Sequence, residues 1–328
     1  MRAVVLGAGP AGLLATRALH SVGVRVTLVL GREHERRSQA RHHVHVLPPA
    51  TRSALQALLN ADAGVLVDSS GTLHPDRTFI DDMLDAACRS HATMLVPGRA
   101  RRIEWPAEGG VRVATEYAGE VHADLIVDAT GTARASFAWA AAHAGRDVSL
   151  DAAPGSSRYT SMVIADAPEP TAGDLSIARD TESGWGVLLL GLGHGRVRVT
   201  LQSPSTRSPM DDETFLEAVV AYGPEQASQV VSEGTPEGRL HRWGPHPVAR
   251  AALEDCEGMP EGWFPVGDAQ LVTPPHMARG VRYAAEHARI MASGISARAS
   301  FAEIRRTLGD HARASWMEAT MTEALSTV

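Results

Sequence analysis

Three glycines near the start of the chain, Gly7, Gly9 and Gly12, have the spacing G-x-G-x-x-G and stand between a short apolar run, Arg2–Leu6, and an amphipathic stretch, Pro10–Val22. A strand that turns straight into a helix presents unpaired N–H groups and the positive end of the helix dipole, which suits a pyrophosphate. Gly7 permits the tight turn, Gly9 lets the backbone approach the anion, and Gly12 lets helix and strand pack closely. Further along, His42, His43 and His45 are spaced so that two imidazoles share one face of a strand. No carboxylate or cysteine is spaced to complete a metal site, so pocket lining or an ordinary polar strand is the simpler reading. His276, set beside Pro274 and Pro275, is a candidate proton donor or orienting group, or else a loop histidine with no role. Tyr159, at the start of a predicted strand, is a candidate donor toward a substrate, with plain packing as its alternative.

The elements that would position these groups follow from the apolar period. Val24–Leu30 reads as a second strand, completing a βαβ unit with Arg2–Leu6 and the helix over Pro10–Val22. In such a unit a carboxylate at the end of the second strand receives the adenosine ribose hydroxyls. Here that position is Leu30, then Gly31 and Arg32, and the nearest acid is Glu33. Arg32, with Arg36 and Arg37, makes the corner basic, which suits a 2′-phosphate as in NADP or simply a solvated turn. Helices are expected over Thr51–Asn60 and Phe79–His91, and strands over Thr93–Val96, Arg101–Trp105, Val111–Tyr117 and Leu125–Val127. Near residue 150 the pattern changes to strands at Tyr159–Ile164, Gly186–Leu190 and Arg196–Leu201, separated by Pro, Gly and Asp as in an antiparallel sheet. Helices at Asp211–Tyr222 and Glu225–Ser232 follow, then a loop rich in Pro and Gly that leads to the run Trp263–Val266. Gly280–Ser293 and Phe301 to the end read as helices, with Gly309 and Asp310 marking a stop and restart.

Composition removes several classes. The 328 residues are 44% hydrophobic, enough for a sizeable core in one extended domain or two intimate ones. A formal charge of −7 gives no general attraction to nucleic acid or an anionic membrane. All 31 basic residues are arginine, which excludes a Schiff-base lysine and a P-loop lysine. No G-x-S-x-G elbow supports a hydrolase. Cys88 and Cys256 are too few for a disulfide framework or a four-cysteine zinc site, so a reducing cytoplasm is the expected compartment. Neither a secretory leader nor a membrane span is expected from the apolar runs.

Three later segments narrow the reading: Gln39-Ala40-Arg41-His42-His43-Val44-His45-Val46-Leu47, Leu125-Ile126-Val127-Asp128-Ala129-Thr130-Gly131, and Phe264-Pro265-Val266-Gly267-Asp268-Ala269. In this order they resemble the FAD-dependent monooxygenase superfamily of the p-hydroxybenzoate hydroxylase type, especially the actinobacterial branch containing polyether epoxidases and FAD-dependent cyclases. Arg77 with the helix after it, and Tyr159-Thr160-Ser161, also resemble that branch. The resemblance implies an α/β fold: a discontinuous Rossmann-type FAD-binding domain (1–150 and 258–296), an inserted antiparallel-sheet substrate domain (151–257) and a C-terminal helical segment (297–328). It implies that Asp268, after Gly267, accepts from a ribityl hydroxyl of FAD, that Arg41 lines the flavin, that Arg77 belongs to the site, and that Asp128 and Gly131 form a second cofactor motif. Seen alone, an Asp in that position is also an ordinary helix cap or turn residue. The family's P-x-x-G-x-G segment, whose backbone N–H groups lie beneath the flavin, corresponds here to Pro275, His276, Met277, Ala278, Arg279 and Gly280, so Ala278 replaces the first glycine.

The activity implied is oxygenation, hydroxylation or epoxidation, of an apolar small molecule in secondary metabolism, with FAD as cofactor. No separate NADPH domain is evident, so NAD(P)H binds transiently or a partner flavin reductase supplies electrons. A non-redox cyclase or isomerase on the same scaffold, with FAD structural or lost, is favoured instead by Leu30, Ala278 and the short chain. A non-catalytic binding protein is the third possibility.

Overall fold

The computed structural model describes residues 1–31, 51, 53, 55, 58, 93–155, 157–168, 175–180, 182–204, 206, 211–244, 247–255 and 257–325. Arg32, Arg36, Arg37, the Gln39–Leu47 segment with Arg41, and Arg77 with the helix expected after it lie outside these residues. Of the helix expected over Thr51–Asn60, Thr51, Ser53, Leu55 and Leu58 are described, and all are helical.

The chain opens with β1 (Arg2–Leu6), α1 (Pro10–Ser21), β2 (Arg25–Val29), β3 (Thr93–Val96), β4 (Ala100–Glu104), β5 (Val111–Thr115), β6 (Glu120–Ala123), β7 (Leu125–Asp128) and α2 (Phe137–Ala144). It continues through β8 (Leu150–Ala153), β9 (Ser157–Ala165), β10 (Leu175–Arg179), β11 (Gly186–Gly193), β12 (Arg196–Pro204), α3 (Asp212–Tyr222) and α4 (Gln226–Glu233). The last elements are β13 (Thr235–Trp243), β14 (Val248–Ala251), β15 (Trp263–Pro265), β16 (Leu271–Val272), α5 (Gly280–Ser296) and α6 (Phe301–Leu325).

Ala3, Val4, Val5 and Leu6 are apolar in succession and all buried, which suits a strand covered on both faces. β1 is the middle of a parallel sheet ordered β15-β7-β1-β2-β3. Leu6 lies level with Val29 on one side and Asp128 on the other, so the ends of β1, β2 and β7 share one edge, where the Gly7 turn begins. β15 joins next to β7 from far along the chain, with Trp263 paired to Ile126. α1 packs against α5 over this sheet, and their apolar faces join one core with β1, β7 and β15.

A second, antiparallel sheet is ordered β10-β11-β12-β9-β13. Its strands alternate as the pleat requires. Val187, Leu189, Val197, Val199 and Leu201 pack with Phe215 and Val219 of α3 and Ala227 and Val230 of α4. The intervening residues Leu188, Thr200, Gln202 and Tyr159 look out from the opposite face, onto the cavity described below. β4, β5 and β6 form a small meander, and β8, β14 and β16 a third antiparallel sheet. The overall α/β class, with its parallel sheet, separate antiparallel sheets and C-terminal helices, agrees with the class expected from sequence.

Two local expectations are corrected. Thr235–Trp243 is a strand rather than part of a loop. It runs along the edge of its sheet with an irregular register between Glu237 and His241, a setting in which Pro236 and Gly238 cost no interior ladder bond. α6 runs unbroken through Gly309 and Asp310. A Cβ at Gly309 would stand 2.6 Å from the Glu254 backbone nitrogen, so this glycine serves close approach of helix and turn rather than a helix stop. Among the described residues no helix is long and apolar enough to cross a membrane.

Candidate functional site

The Gly7–Gly12 turn is set by steric necessity. Gly7 has φ +97°, and a Cβ there would lie 2.6 Å from the Ala129 carbonyl oxygen. A Cβ on Gly12 would fall 1.8 Å from the carbonyl oxygen of Gly7. Only glycine fits at either position, and the result is a helix whose first turn no side chain caps, with Gly9 at its N-cap and Pro10 just inside.

The neighbouring turn, after β7, is organised by Asp128. Its fully buried carboxylate accepts from the Thr130 N–H (2.9 Å) and hydroxyl (2.6 Å) through one oxygen, and from the Ser136 N–H (2.8 Å) and hydroxyl (2.6 Å) through the other. The indole N–H of Trp263 adds a 2.7 Å bond to the Ser136 hydroxyl. Asp128 therefore stands behind the cavity wall and shapes the loop, while Ala129, Thr130 and Gly131 line the cavity itself. Arg134, in the left-handed region at φ +44°, donates through Nε to the Ala269 carbonyl (3.0 Å), tying this loop to the turn after β15. Burial pulls its guanidinium below the ordinary arginine value, opposed by the charges of Asp268 and Asp128.

The third turn carries Gly267 and Asp268. Gly267 has φ +58° and sits where a Cβ would come within 2.5 Å of the Ala11 Cβ, pressing this turn against the start of α1. Asp268 is exposed and lines the cavity. Beyond it, Pro274, Pro275, Ala278 and Gly280 continue the wall. Ala278 takes φ +52°, the left-handed backbone that a glycine would occupy without strain. His276 lies in the single helical turn Pro275–Met277 on this wall; its side chain is outside what the structure describes.

Facing these turns across a cavity of about 490 Å³ is the antiparallel sheet, and that volume is in the range of small-molecule sites. Its register places Gly186, Gln202, Tyr159 and Trp243 in one row and Leu188, Thr200, Ser161 and His241 in the next. Tyr159 is nearly buried and stacks on Trp243, ring centres 5.5 Å apart at 17°. The Gln202 amide donates to the Ser157 hydroxyl (3.1 Å), and the buried Thr200 Oγ1 has no partner among the described residues.

Thus Gly9, Gly131, Tyr159, Gly267, Asp268, Ala278 and Gly280 meet around one cavity, with Gly7 and Gly12 shaping the turn behind it. Thr200 and Gln202 went unnoticed in the sequence reading, although the polar alternation Arg196, Arg198, Thr200, Gln202 along β12 was a usable signal. Arg134 carried no such signal. Among the described residues no group of three or more His, Cys, Asp or Glu could hold a metal ion.

No family model and no curated protein sequence matches the chain. Solved structures do share its fold. PqsL of P. aeruginosa in complex with 2-aminobenzoylacetate superposes with a TM-score of 0.74 at 15% identity, covering 97% of this chain and 93% of that one. Klebsiella pneumoniae HpxO complexed with FAD and uric acid gives 0.72 at 18% identity, over 99% and 88%. The flavin-dependent brominase Bmp2 gives 0.68 at 14% identity, over 90% and 80%. The fold is thus one used by flavin-dependent enzymes.

Proposed function

We propose that the chain is an FAD-dependent monooxygenase that hydroxylates or epoxidises an apolar small molecule, in secondary metabolism. The observation that carries this reading is the single cavity bounded on one side by three glycine-bearing turns of the parallel-sheet layer and on the other by the inner face of the antiparallel sheet. The residues present fit the cofactor: Gly7 and Gly12 permit the tight strand-to-helix turn, and the uncapped start of α1 offers N–H groups to a diphosphate. Gly9 and Ala11 would hold that diphosphate, Asp268 would accept from a ribityl hydroxyl, and the Gly131 and Ala278–Gly280 backbone would border the ring system. When bound, FAD supplies two-electron transfer and the activation of dioxygen.

The chain's own residues do the rest. Leu188 and the Tyr159–Trp243 pair exclude water and, with Ile177, receive an apolar substrate. Gln202, its amide oriented by Ser157, and the unpartnered Thr200 hydroxyl fix the substrate's polar edge. Tyr159 and His276 are the proposed proton donors. Arg32, Arg41 and Arg77 are proposed cofactor contacts, and NAD(P)H or a partner flavin reductase the electron source. The proposed division into domains is 1–150 with 258–296 for the cofactor, 151–257 for the substrate and 297–328 for the C-terminal helix.

A non-redox cyclase or isomerase is the second reading, favoured by Leu30 at the end of β2 and by the strained Ala278 backbone. The absorption spectrum of purified protein incubated with FAD separates the two. Flavin bands bleached by NADPH and restored with substrate-dependent oxygen uptake are expected; a colourless protein that still converts substrate would establish the cyclase instead.

A further inference from the structure

His287, on α5, is fully buried directly behind the cofactor-side wall and makes a hydrogen bond to that wall's backbone: its Nδ1 accepts from the Gly267 N–H at 3.2 Å. An amide N–H can only donate, so Nδ1 must be bare and the proton of the neutral ring must sit on Nε2. Nε2 is buried without a partner among the described residues. The next ring is His311 of α6, whose centre is 5.2 Å away and nearly perpendicular, at 83°. His311 meets the Glu286 carboxylate through Nε2 at 3.0 Å, and an ionised carboxylate only accepts, so Nε2 carries a proton. Its Nδ1 is buried without a partner among the described residues, so the two rings meet edge-on without a hydrogen bond between them.

We propose that His287 is the positioning residue of the Gly267–Asp268 turn, its Nδ1 bond to the Gly267 N–H holding the ligand-facing Asp268 in place. On the same helix Arg282 donates through Nε to the other oxygen of Glu286 at 2.8 Å, and Tyr283 packs edge-on to His311. The turn has no slack, since Gly267 is already pressed on Ala11, so the anchor on its far side decides whether Asp268 is presented or lost. Burial holds the His287 imidazole down at about 3, with His311 adding to the effect, which keeps the ring neutral.

The proposal rests on the FAD reading only for its ligand. His287→Asn keeps an acceptor where Nδ1 stands, whereas His287→Gln places its amide where Nε2 stands and leaves the Gly267 N–H unpaired. In fluorescence titrations with FAD, His287→Asn is expected within about threefold of the wild-type Kd and His287→Gln weaker by about tenfold or more, as befits one lost buried hydrogen bond. Nitrogen NMR of the wild-type ring is expected to show bare Nδ1 and protonated Nε2. Equal affinities for the two variants, or a ring protonated on Nδ1, would overturn the assignment. A wild-type protein that binds no FAD would contradict the proposed function, while the ring spectrum would still decide the anchor.

Discussion

On the wall built by the parallel-sheet layer the cavity meets backbone turns, whereas the antiparallel sheet meets it with alternate side chains. The first wall is specified by what must be missing: at Gly7, Gly12 and Gly267 a single added carbon collides with a neighbour at 2.6, 1.8 and 2.5 Å. The second is specified by what projects, Leu188, Thr200, Gln202 and Tyr159, from strands whose other face is locked into the α3–α4 core. One wall is therefore intolerant of change, while the other is free to vary; in the proposed function the first holds the cofactor and the second selects the substrate.

Substituting on the first wall gives the largest effect. Gly12→Val is expected to abolish FAD binding, with Kd rising at least about a hundredfold or the folded protein lost, because the helix start must move away from Gly7. Titration of any folded variant checks this, and retained affinity would break the contrast between the walls. On the second wall, Gly186→Leu fills the row between Arg179 and Gln202, yet its Cβ meets only ordinary contacts, the nearest at 3.4 Å. Substrate-stimulated oxygen uptake is expected to fall about tenfold or more with FAD affinity unchanged, as for a pocket blocked on one side only. Equal loss of both would erase the distinction.

Leu30→Glu supplies the carboxylate missing at the end of β2 and is expected to tighten FAD by roughly tenfold, the scale of one charge-assisted hydrogen bond. Unchanged affinity would mean that the ribose lies elsewhere. Acid stability sharpens the comparison in another way. The folded His287 value, about 3, lies below that of an unfolded histidine, and Glu286 is likewise held down to about 2 despite burial, by its bonds to His311 and Arg282. The unfolded chain then binds more protons, so stability is full above the unfolded values and drains away as pH falls toward the folded ones. The His287 share has a slope of about 1.4 kcal/mol per pH unit between roughly pH 6.5 and 3. Urea unfolding across that range should show a shallower slope for His287→Asn. Smallest is Ala278→Gly, which relieves the left-handed alanine and should add about 1 kcal/mol, a rise in Tm of roughly 2–4 °C. A loss of stability would mean that Ala278 packs better than its backbone is strained.

The same division explains what the sequence disclosed. The opening βαβ unit and its glycines were legible because steric exclusion leaves a residue-type signature that no other conformation explains. Strands β9, β11 and β12 were found within a few residues because their faces alternate between core and cavity. β13 was missed because Pro236 and Gly238 are breakers in an interior strand and harmless at an edge. Gly309 misled because glycine marks close approach as well as helix ends. The motif marks Asp128 as part of a cofactor site, and the further part its carboxylate plays, organising a loop through Thr130 and Ser136, depends on burial that sequence does not display. His287, twenty positions after Gly267, is seen only when α5 is folded against the turn.

In the proposed function one extended flavin cofactor joins the two walls. A crystal structure of the protein soaked with FAD is the decisive test. It is expected to show a diphosphate against Gly9–Ala11, a ribityl chain at Asp268 and the ring system between Gly131 and the face bearing Thr200 and Gln202. Side chains closing the groove, or FAD bound elsewhere, would contradict that function.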